Sequence, residues 1–320
     1  MIRSPDHQMD LVFCGTPPFA VPTLEKLIQA GYSVSLVLTQ PDRPKGRGLA
    51  LVPSPVKQSA VKYDLPIYQP EKIKTNEELR ATLEAISPDA IIVVGYGRII
   101  PKWMLDLPRY GNINLHASLL PKYRGAAPIQ WAIAKGETVT GVTTMRIDEG
   151  LDTGDILLQR ELPILPDETS ETLAPRLAEI GAELMIETLR GLATDNITRR
   201  NQDDAEATLA PILKKEDGRI DFSRSAPEIY NRFRGFQPWP GAFTSFRGKT
   251  LNVAALKPIS GAIVNLAPAD LVSRNDRLFA GCANQTVIEL LEVQPEGKKI
   301  IAAGDFIHGY RPQAGERLRT

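Results

Sequence analysis

Residues 10–38, DLVFCGTPPFAVPTLEKLIQAGYSVSLVL, decide the fold class of this 320-residue chain. The apolar run Leu11–Cys14 predicts a short buried strand, and the glycine and prolines that follow it predict a turn into a helix. Apolar residues then recur at helical spacing as far as Gly31, which ends the helix, and Val34–Leu38 predicts the next strand. A strand, a helix and a second strand in this order form the repeating unit of an α/β fold with a parallel sheet.

The same alternation continues outward from this unit through the first two thirds of the sequence. Further strands are predicted at Ala90–Val94, Ile113–Leu115 and Gly141–Arg146, and further helices at Glu77–Ile86, Ala127–Lys135 and Thr172–Leu189. Apolar strands separated by helical segments predict a Rossmann-like α/β domain with a largely parallel sheet.

The last third of the sequence has a different pattern. Residues 191–212 are polar and acidic, as is typical of a linker or strap between domains. Beyond them, Gly, Pro and Asn turns separate short strand patterns at Phe243–Phe246, Leu251–Leu256, Leu278–Cys282 and Val287–Val293. We therefore predict a first domain at 1–190, a linker at 191–212 and a small C-terminal OB-like β-barrel domain at 213–320.

Composition narrows the class of protein. Hydrophobic residues make up 42% of the chain and charged residues 24%, which is typical of a globular protein. No apolar run approaches the roughly 20 residues of a membrane-spanning helix, and the first ten residues lack the apolar stretch of a signal peptide, so we expect a cytoplasmic protein. Cys14 and Cys282 match no zinc or redox spacing and only three histidines are present, so we predict buried, inert thiols and no metal site.

Charge is balanced overall but not along the chain. Lys and Arg together number 38, as do Asp and Glu. Residues 214–320 carry 16 basic and 11 acidic side chains, a net charge of +5, and residues 1–213 carry the compensating −5. By itself this imbalance is also typical of a solvated surface without a partner, so it gains meaning only beside other features.

Residues 112–128, NINLHASLLPKYRGAAP, contain the first candidate site. Asn112, Asn114 and His116 alternate along a predicted strand and therefore share one face, where a buried strand is usually apolar. Polar residues at a strand end also bond neighbouring loops in many proteins. However, this strand runs into a loop at the carboxyl end of a parallel sheet, where open α/β folds bind ligands.

A second candidate is the acidic, Gly-containing loop DEGLDTGD at 148–155. Its spacing lacks the ligand positions and the closing glutamate of a calcium loop. Asp148, Asp152 and Asp155 can also act as turn formers that accept backbone hydrogen bonds, and we expect that role for two of the three.

Together these segments resemble the active-site signature of the folate-dependent formyltransferases. The resemblance lies in NLHASLLP at 114–121, YRGAAPIQ at 123–130 and GLDTGD at 150–155. Further segments resemble specifically the branch of that family that formylates methionyl-initiator tRNA: CGTPPFAV at 14–21, QPDRPKGRG at 40–48, PSPVK at 53–57, GYG at 95–97 and PWPG at 238–241. The resemblance covers nearly the whole chain.

The resemblance implies a reaction and a set of residues. The formyl donor would be 10-formyltetrahydrofolate, used without a metal, and the acceptor would be the α-amine of methionine on initiator tRNA. Asn114 would donate to the developing oxyanion. His116 would assist the oxyanion and protonate the departing folate nitrogen, and Asp152 would hold His116 and help take up the amine proton. A monomer suffices for this reaction.

The resemblance also implies binding residues for both substrates. Two segments would line the folate pocket, Ser118, Leu119, Leu120 and Pro121 on one side and Tyr96, Gly97 and Arg98 on the other. The Pro- and Gly-rich loop at 39–48, here called the basic loop, carries three cations that would contact the tRNA, Arg43, Lys45 and Arg47. Basic side chains of the C-terminal domain, which has a net charge of +5, would then contact phosphates of the tRNA.

Three other functions were compared with the features of the sequence. A nicotinamide dehydrogenase is disfavoured because the glycines near Gly95 lack the third glycine of the dinucleotide fingerprint. A non-catalytic RNA-binding protein would be indicated by loss of Asn114, His116 or Asp152, and all three are present. A formyltransferase that acts on an aminosugar nucleotide or a purine precursor, or that hydrolyses the donor, would share these three residues. The basic loop and the segment LKKEDGRID at 213–221 favour the branch that acts on tRNA.

Overall fold

A computed structural model describes residues 9–45, 50–259 and 266–319. The described residues form two compact units. The first unit comprises Met1–Pro128, Val139–Pro163 and Ala174–Ala210, and the second comprises Ile129–Thr138, Ile164–Leu173 and Pro211–Thr320. The domain boundaries at 190 and 213 remain a proposal.

Strands and helices alternate through the first two thirds of the chain. The strands are β1 (Asp10–Gly15), β2 (Ser33–Leu38), β3 (Arg43–Lys45), β4 (Ala50–Val52), β5 (Ile67–Tyr68), β6 (Ala90–Val94), β7 (Asn112–His116), β8 (Val139–Arg146) and β9 (Ile156–Pro163). The helices are α1 (Val21–Gln29), α2 (Pro55–Lys62), α3 (Glu77–Ile86), α4 (Lys102–Leu105), α5 (Pro128–Ala134) and α6 (Ser170–Ala193). Because α6 continues to Ala193, the first residues of the predicted linker are helical.

Seven strands of the first unit form one sheet in the order β5-β2-β1-β6-β7-β8-β9. Neighbouring strands from β5 to β7 pair in parallel, whereas β8 is antiparallel to both of its neighbours, β7 and β9. Every residue of β6 is buried, which is typical of a central parallel strand covered on both faces. The predicted largely parallel, Rossmann-like sheet is confirmed. The short loop between β8 and β9 explains their antiparallel pairing, since a parallel pair needs a longer crossover.

Helix α3 shows how the sequence sets an element that covers this sheet. Asn76 caps its start by accepting a hydrogen bond from the Leu79 N–H at 2.9 Å, and Ser87 ends it in the left-handed conformation. Leu79 and Leu83, four residues apart, are fully buried in the core beside β1 and β6. Burial of each leucine stabilises the fold by about 1.5–3 kcal/mol.

The second unit contains a mainly antiparallel sheet with two helices. Its elements are β10 (Phe243–Phe246), β11 (Lys249–Ile259), α7 (Ala226–Gly235), β12 (Leu271–Arg274), β13 (Arg277–Gly281), β14 (Val287–Pro295), β15 (Ile301–Ala302) and α8 (Ala303–Tyr310). The strand order is β10-β11-β14-β13-β12, and β15 pairs with β14. The C-terminal segment pairs with both edges of this path, through Ser245 with Arg319 and through Asp270 with Arg317. The predicted C-terminal β domain is confirmed as an antiparallel sheet.

The two cysteines are buried, as predicted, and they lie in separate cores. Cys14 is fully buried within β1, and Cys282 is 1% exposed in the core of the second unit. Burial raises the pKa of both thiols, that of Cys282 to about 12, so both remain protonated near neutral pH. Among the helices in the described ranges, none combines the length and apolar composition that crossing a bilayer requires.

Candidate active site

Strand β7 places the predicted site at the carboxyl edge of the parallel strands. Asn112 is buried, and its Nδ2 donates to the Met104 carbonyl oxygen at 2.8 Å, so this asparagine bonds the end of helix α4. Asn114 is half-buried and pairs with Met145 of β8. His116 ends the strand on the same face as Asn114, because the two residues are separated by one position.

The His116 ring is held between two oxygen atoms. The side chain is 6% exposed, and its Nε2 lies 2.9 Å from the Tyr123 carbonyl oxygen. A carbonyl oxygen only accepts, so Nε2 carries a proton and donates to Tyr123. On the other side, Nδ1 lies 3.7 Å from Asp152 Oδ2. Since Nε2 is committed to Tyr123, Nδ1 is the ring nitrogen available for chemistry.

Asp152 is held in an unusual backbone conformation. Its φ is +53°, in the left-handed region that few non-glycine residues adopt. Its Oδ2 accepts a hydrogen bond from the Gly125 N–H at 2.8 Å. The distance of 3.7 Å between Asp152 Oδ2 and His116 Nδ1 is longer than a hydrogen bond.

Asp148 has the other role expected for the acidic loop. Its Oδ1 accepts from the Gly150 N–H at 3.0 Å and from the Thr153 hydroxyl at 2.7 Å. These bonds close the turn in which Asp152 lies. Asp148 is therefore a turn former, whereas Asp152 faces the imidazole.

The predicted folate segment at 118–121 is fixed from inside the protein. The Ser118 hydroxyl is fully buried and donates to the Lys122 carbonyl oxygen at 2.6 Å. The Thr143 hydroxyl donates to the Ser118 carbonyl oxygen at 2.6 Å and accepts from the Leu120 N–H at 3.2 Å. The Leu120 side chain is 3% exposed, and Leu119 is half-buried. Thr143 thus supports this segment, a role that the sequence analysis did not assign.

The second predicted folate segment also has one side chain turned inward. Tyr96 is 1% exposed, and its carbonyl oxygen accepts from Gln40 Nε2 at 2.9 Å. Burial raises the pKa of the Tyr96 phenol, and its hydroxyl has no hydrogen-bond partner within the described ranges. Gly97 is exposed with φ +72°, and Arg98 is half-buried with its Nε unpaired among the described residues. Gly97 is therefore the exposed residue of this segment, whereas the Arg98 Nε is buried.

Comparisons with known proteins identify the family of the chain. The family model described as formyl transferase matches residues 9–189, and the model of the formyl transferase C-terminal domain matches residues 212–311. This chain belongs to the formyl transferase family. The match confirms the resemblance that the sequence motifs indicated.

Two similar curated relatives of this formyl transferase carry one name, methionyl-tRNA formyltransferase. That of Koribacter versatilis is 64% identical over 97% of this chain and 98% of its own length. That of Acidobacterium capsulatum is 63% identical over 94% of this chain and 96% of its own length. Both alignments therefore cover both domains.

Solved structures share the fold at lower identity. The sugar 3N-formyl transferase WlaRD, solved with dTDP and 5-N-formyl-THF, has a TM-score of 0.65 at 18% identity and covers 92% of this chain and 100% of its own. HypX from Aquifex aeolicus, in complex with tetrahydrofolic acid, has a TM-score of 0.62 at 16% identity and covers 97% of this chain and 48% of its own. These structures support the fold assignment.

Part of the basic loop of this formyl transferase, Arg43–Lys45, forms the short strand β3, where the sequence indicated only a loop. β3 pairs with β4 in antiparallel register, and the exposed Arg43 donates from Nη2 to Gln40 Oε1 at 3.0 Å. Asp42, the acid of the loop, bonds Lys57 at 2.6 Å, and this hydrogen bond holds the pKa of Asp42 below its ordinary value. Because Asp42 is neutralised by Lys57, it does not offset the cations of the loop. Arg47 and the side chain of Lys45 lie outside the described part.

Residues 200–210 of this formyl transferase, here called the strap, contact both active-site loops. Gln202 donates from Nε2 to the Asp152 carbonyl oxygen at 2.8 Å. Arg124, 7% exposed, donates to Gln202 Oε1 at 3.0 Å and to Asp204 at 2.8 Å. Neither Gln202 nor Arg124 was predicted as a site residue, since a glutamine in an acidic stretch is typical of solvated surface. The one available signal was the arginine inside the matched motif at 123–130.

Proposed function

We propose that this formyl transferase transfers the formyl group of 10-formyltetrahydrofolate to the α-amine of methionyl-initiator tRNA, in the cytoplasm. The observation that carries the proposal is the identity of nearly two thirds with two relatives named methionyl-tRNA formyltransferase, over almost the entire lengths of all three chains. Identity at that level extends over the C-terminal domain as well as the catalytic fold.

A folate-type donor suits the segments around the site. Two solved structures of the same fold, the sugar 3N-formyl transferase WlaRD and HypX, contain folate compounds by their descriptions. The segment at 118–121 supplies backbone groups and the half-buried side chain of Leu119, and its position is fixed by Thr143. Gly97 supplies an accessible backbone, and Arg98 supplies a half-buried guanidinium beside it. Backbone groups with aliphatic walls are suited to a flat heterocycle with polar edges.

Asn114 would stabilise the charge that develops when the amine attacks. A C–N bond forms between the α-amine and the formyl carbon, and the bond from that carbon to the folate nitrogen breaks, so the formyl oxygen becomes negative in between. The Asn114 amide is half-buried on the face of β7 that also carries His116. A fixed N–H donor aimed at such an oxygen stabilises the transition state, and loss of one donor of this kind costs about 100-fold or more in rate.

His116 and Asp152 would move the proton. The amine loses one proton on attack, and the departing folate nitrogen gains one, so the net proton count is unchanged. His116 Nδ1 would donate to the oxyanion and to the leaving nitrogen, because Nε2 is held by Tyr123. Asp152, 3.7 Å from Nδ1, would stabilise the positive charge on the ring and help take the amine proton.

The acceptor would be held by charge outside the reacting centre. Arg43 is exposed on β3, and its neighbour Asp42 is already neutralised by Lys57. The three basic-loop cations and the net charge of +5 at 214–320 would contact phosphates, so affinity for tRNA would fall as salt rises. A monomer provides all of these groups.

The direct test mixes the protein with 10-formyltetrahydrofolate and methionyl-initiator tRNA and measures formylmethionine after deacylation. Elongator methionyl-tRNA is the control for acceptor specificity, and His116→Ala is the control for contaminating activity. A dTDP-aminosugar serves as the competing acceptor, because sugar formyl transferases share the fold. Faster transfer to the aminosugar than to initiator tRNA would overturn the proposal.

A further inference from the structure

Backbone hydrogen bonds join the strap to the loop that precedes α5. The Arg124 N–H donates to the Thr208 carbonyl oxygen at 2.8 Å, and the Ala210 N–H donates to the Arg124 carbonyl oxygen at 2.7 Å. The Tyr123 N–H donates to the Thr208 hydroxyl at 2.8 Å. The strap is therefore paired with the loop whose Tyr123 carbonyl holds His116.

One side chain of the strap joins this loop to the acidic loop. Gln202 Nε2 donates to the carbonyl oxygens of Asp152 and Gly154, both at 2.8 Å. Its Oε1 accepts from Arg124 Nε at 3.0 Å. All the hydrogen-bonding groups of one amide are thus used, and each bond reaches one of the two loops.

Arg124 completes a closed cycle of contacts around Asp152. The next residue, Gly125, donates its N–H to Asp152 Oδ2 at 2.8 Å. Asp152 is therefore held at its carboxylate by one loop and at its carbonyl by Gln202, which itself bonds the same loop through Arg124. Arg124 is 7% exposed, so its guanidinium depends on protein partners such as Gln202.

Asp152 needs this support. Its left-handed φ of +53° is costly for a residue other than glycine, by about 1–3 kcal/mol, and persists only where surrounding contacts impose it. Its carboxylate must also remain within reach of His116 Nδ1, now at 3.7 Å. A misplacement of about 1 Å in a catalytic group costs on the order of 100-fold in rate.

We propose that Gln202 is a positioning residue that fixes Asp152 against His116 by tying the acidic loop to the loop at Arg124. This proposal rests on the proposed function for its kinetic test. Gln202 touches neither substrate in this scheme. Its effect is on the orientation of Asp152, so it should change the rate of transfer and leave substrate binding intact.

The test uses Gln202→Glu in the full-length protein. Glutamate keeps an acceptor for Arg124 but has no N–H, and it brings negative charge to two carbonyl oxygens. The matched control is Asn201→Asp, the same isosteric change at the neighbouring exposed position. We expect Gln202→Glu to lower kcat by about 10- to 100-fold, with KM for folate and for tRNA within about twofold of the control.

A second measurement is independent of turnover. The chain has three histidines, so ¹⁵N spectra of histidine-labelled protein resolve the His116 ring, assigned by its loss in His116→Ala. We expect Gln202→Glu to shift the Nδ1 resonance of His116, because Asp152 moves away from it, and Asn201→Asp to leave it unchanged. Gln202→Met, uncharged and of similar length, should shift the same resonance and replaces Gln202→Glu if that variant does not fold.

The outcomes separate the two proposals. A lowered kcat with the shifted resonance, at unchanged KM and melting temperature, supports the positioning role. An unshifted His116 resonance overturns it, as does a loss of activity explained by raised KM or by a lower fraction of folded protein. Absence of formylmethionyl-tRNA with the unaltered protein would instead refute the proposed function, and the spectra would still decide the role of Gln202.

Discussion

Gly154→Ala should displace Asp152, the proposed catalytic aspartate, without changing that residue. Gly154 is buried in the acidic loop, and a Cβ at this position would lie 1.9 Å from the Arg146 carbonyl oxygen. Ordinary van der Waals contact begins near 3.4 Å, so the backbone must separate by about 1.5 Å. Arg146 ends β8, which is bonded to strands on both sides, whereas the loop is bonded mainly through single side chains. The loop therefore moves, and Asp152 moves with it.

The expected magnitude follows from that displacement. Because a shift of about 1 Å at a catalytic group costs on the order of 100-fold, we expect kcat to fall by about 100-fold or more. Overpacking costs about 1–3 kcal/mol, which is less than the roughly 5–15 kcal/mol of a typical domain, so the variant stays folded.

The assay is single-turnover formyl transfer alongside thermal unfolding. The control is Gly309→Ala in α8, where a Cβ would have no neighbour within 4 Å and alanine favours the helix. We expect this control to keep full activity and to unfold at the same temperature or higher. If Gly154→Ala transfers formyl within about threefold of the unaltered protein, the position of the acidic loop does not limit the reaction.

Three further predictions address the reacting centre, the acceptor and pH. His116→Ala should nearly abolish single-turnover transfer while tRNA binding by filter assay is retained; substantial residual transfer would contradict the proposed mechanism. Joint replacement of the three basic-loop cations by alanine should weaken tRNA binding and flatten its salt dependence by about 2 to 3 in the log–log slope, with folate binding unchanged; equal loss of both would argue against an RNA role. Hydrogen bonds from Arg277 hold the pKa of Glu289 below its ordinary value. The ionised Glu289 therefore stabilises the folded state fully above the unfolded pKa, and this stabilisation is lost as pH falls through the folded pKa. Glu289→Gln should therefore lower unfolding free energy by about 1–2 kcal/mol near neutral pH and by less near about pH 4 in urea titrations; a pH-independent difference would exclude this pair as the cause.

Much of the secondary structure follows from local pattern. The prediction for α3 coincides with the observed helix, and β6 and β10 were likewise predicted at their observed limits. Local periodicity, caps and turn residues specify such elements without reference to distant parts of the chain. The short strands β3 and β4 escaped prediction because proline and glycine dominate that segment, and pairing between the two strands overrides their local preference.

The antiparallel direction of β8 at the edge of the main sheet was not predicted, for a different reason. The strand pattern of β8 was predicted, but its direction was not. Apolar residues alternate in the same way in strands of either direction, so direction depends on how the chain returns to the sheet. The roles within the acidic loop were open for a similar reason. Asp148 and Asp152 are equally suited to turns by residue type, and the fold determines that Asp152 faces His116.

The sequence alone determined that this chain has an α/β domain with a β domain after it, that it resembles a formyltransferase, and that Asn114, His116 and Asp152 are the residues to examine. These conclusions depend on short-range patterns and on motifs a few residues long. Only the tertiary structure assigned Nδ1 as the free nitrogen of His116 and placed Gln202 between the two loops. Gln202 lies 50 residues from Asp152 and 78 from Arg124 along the chain. A hydrogen bond over such separations forms because the folded backbone brings the groups together. The local sequence around Gln202 therefore does not predict it.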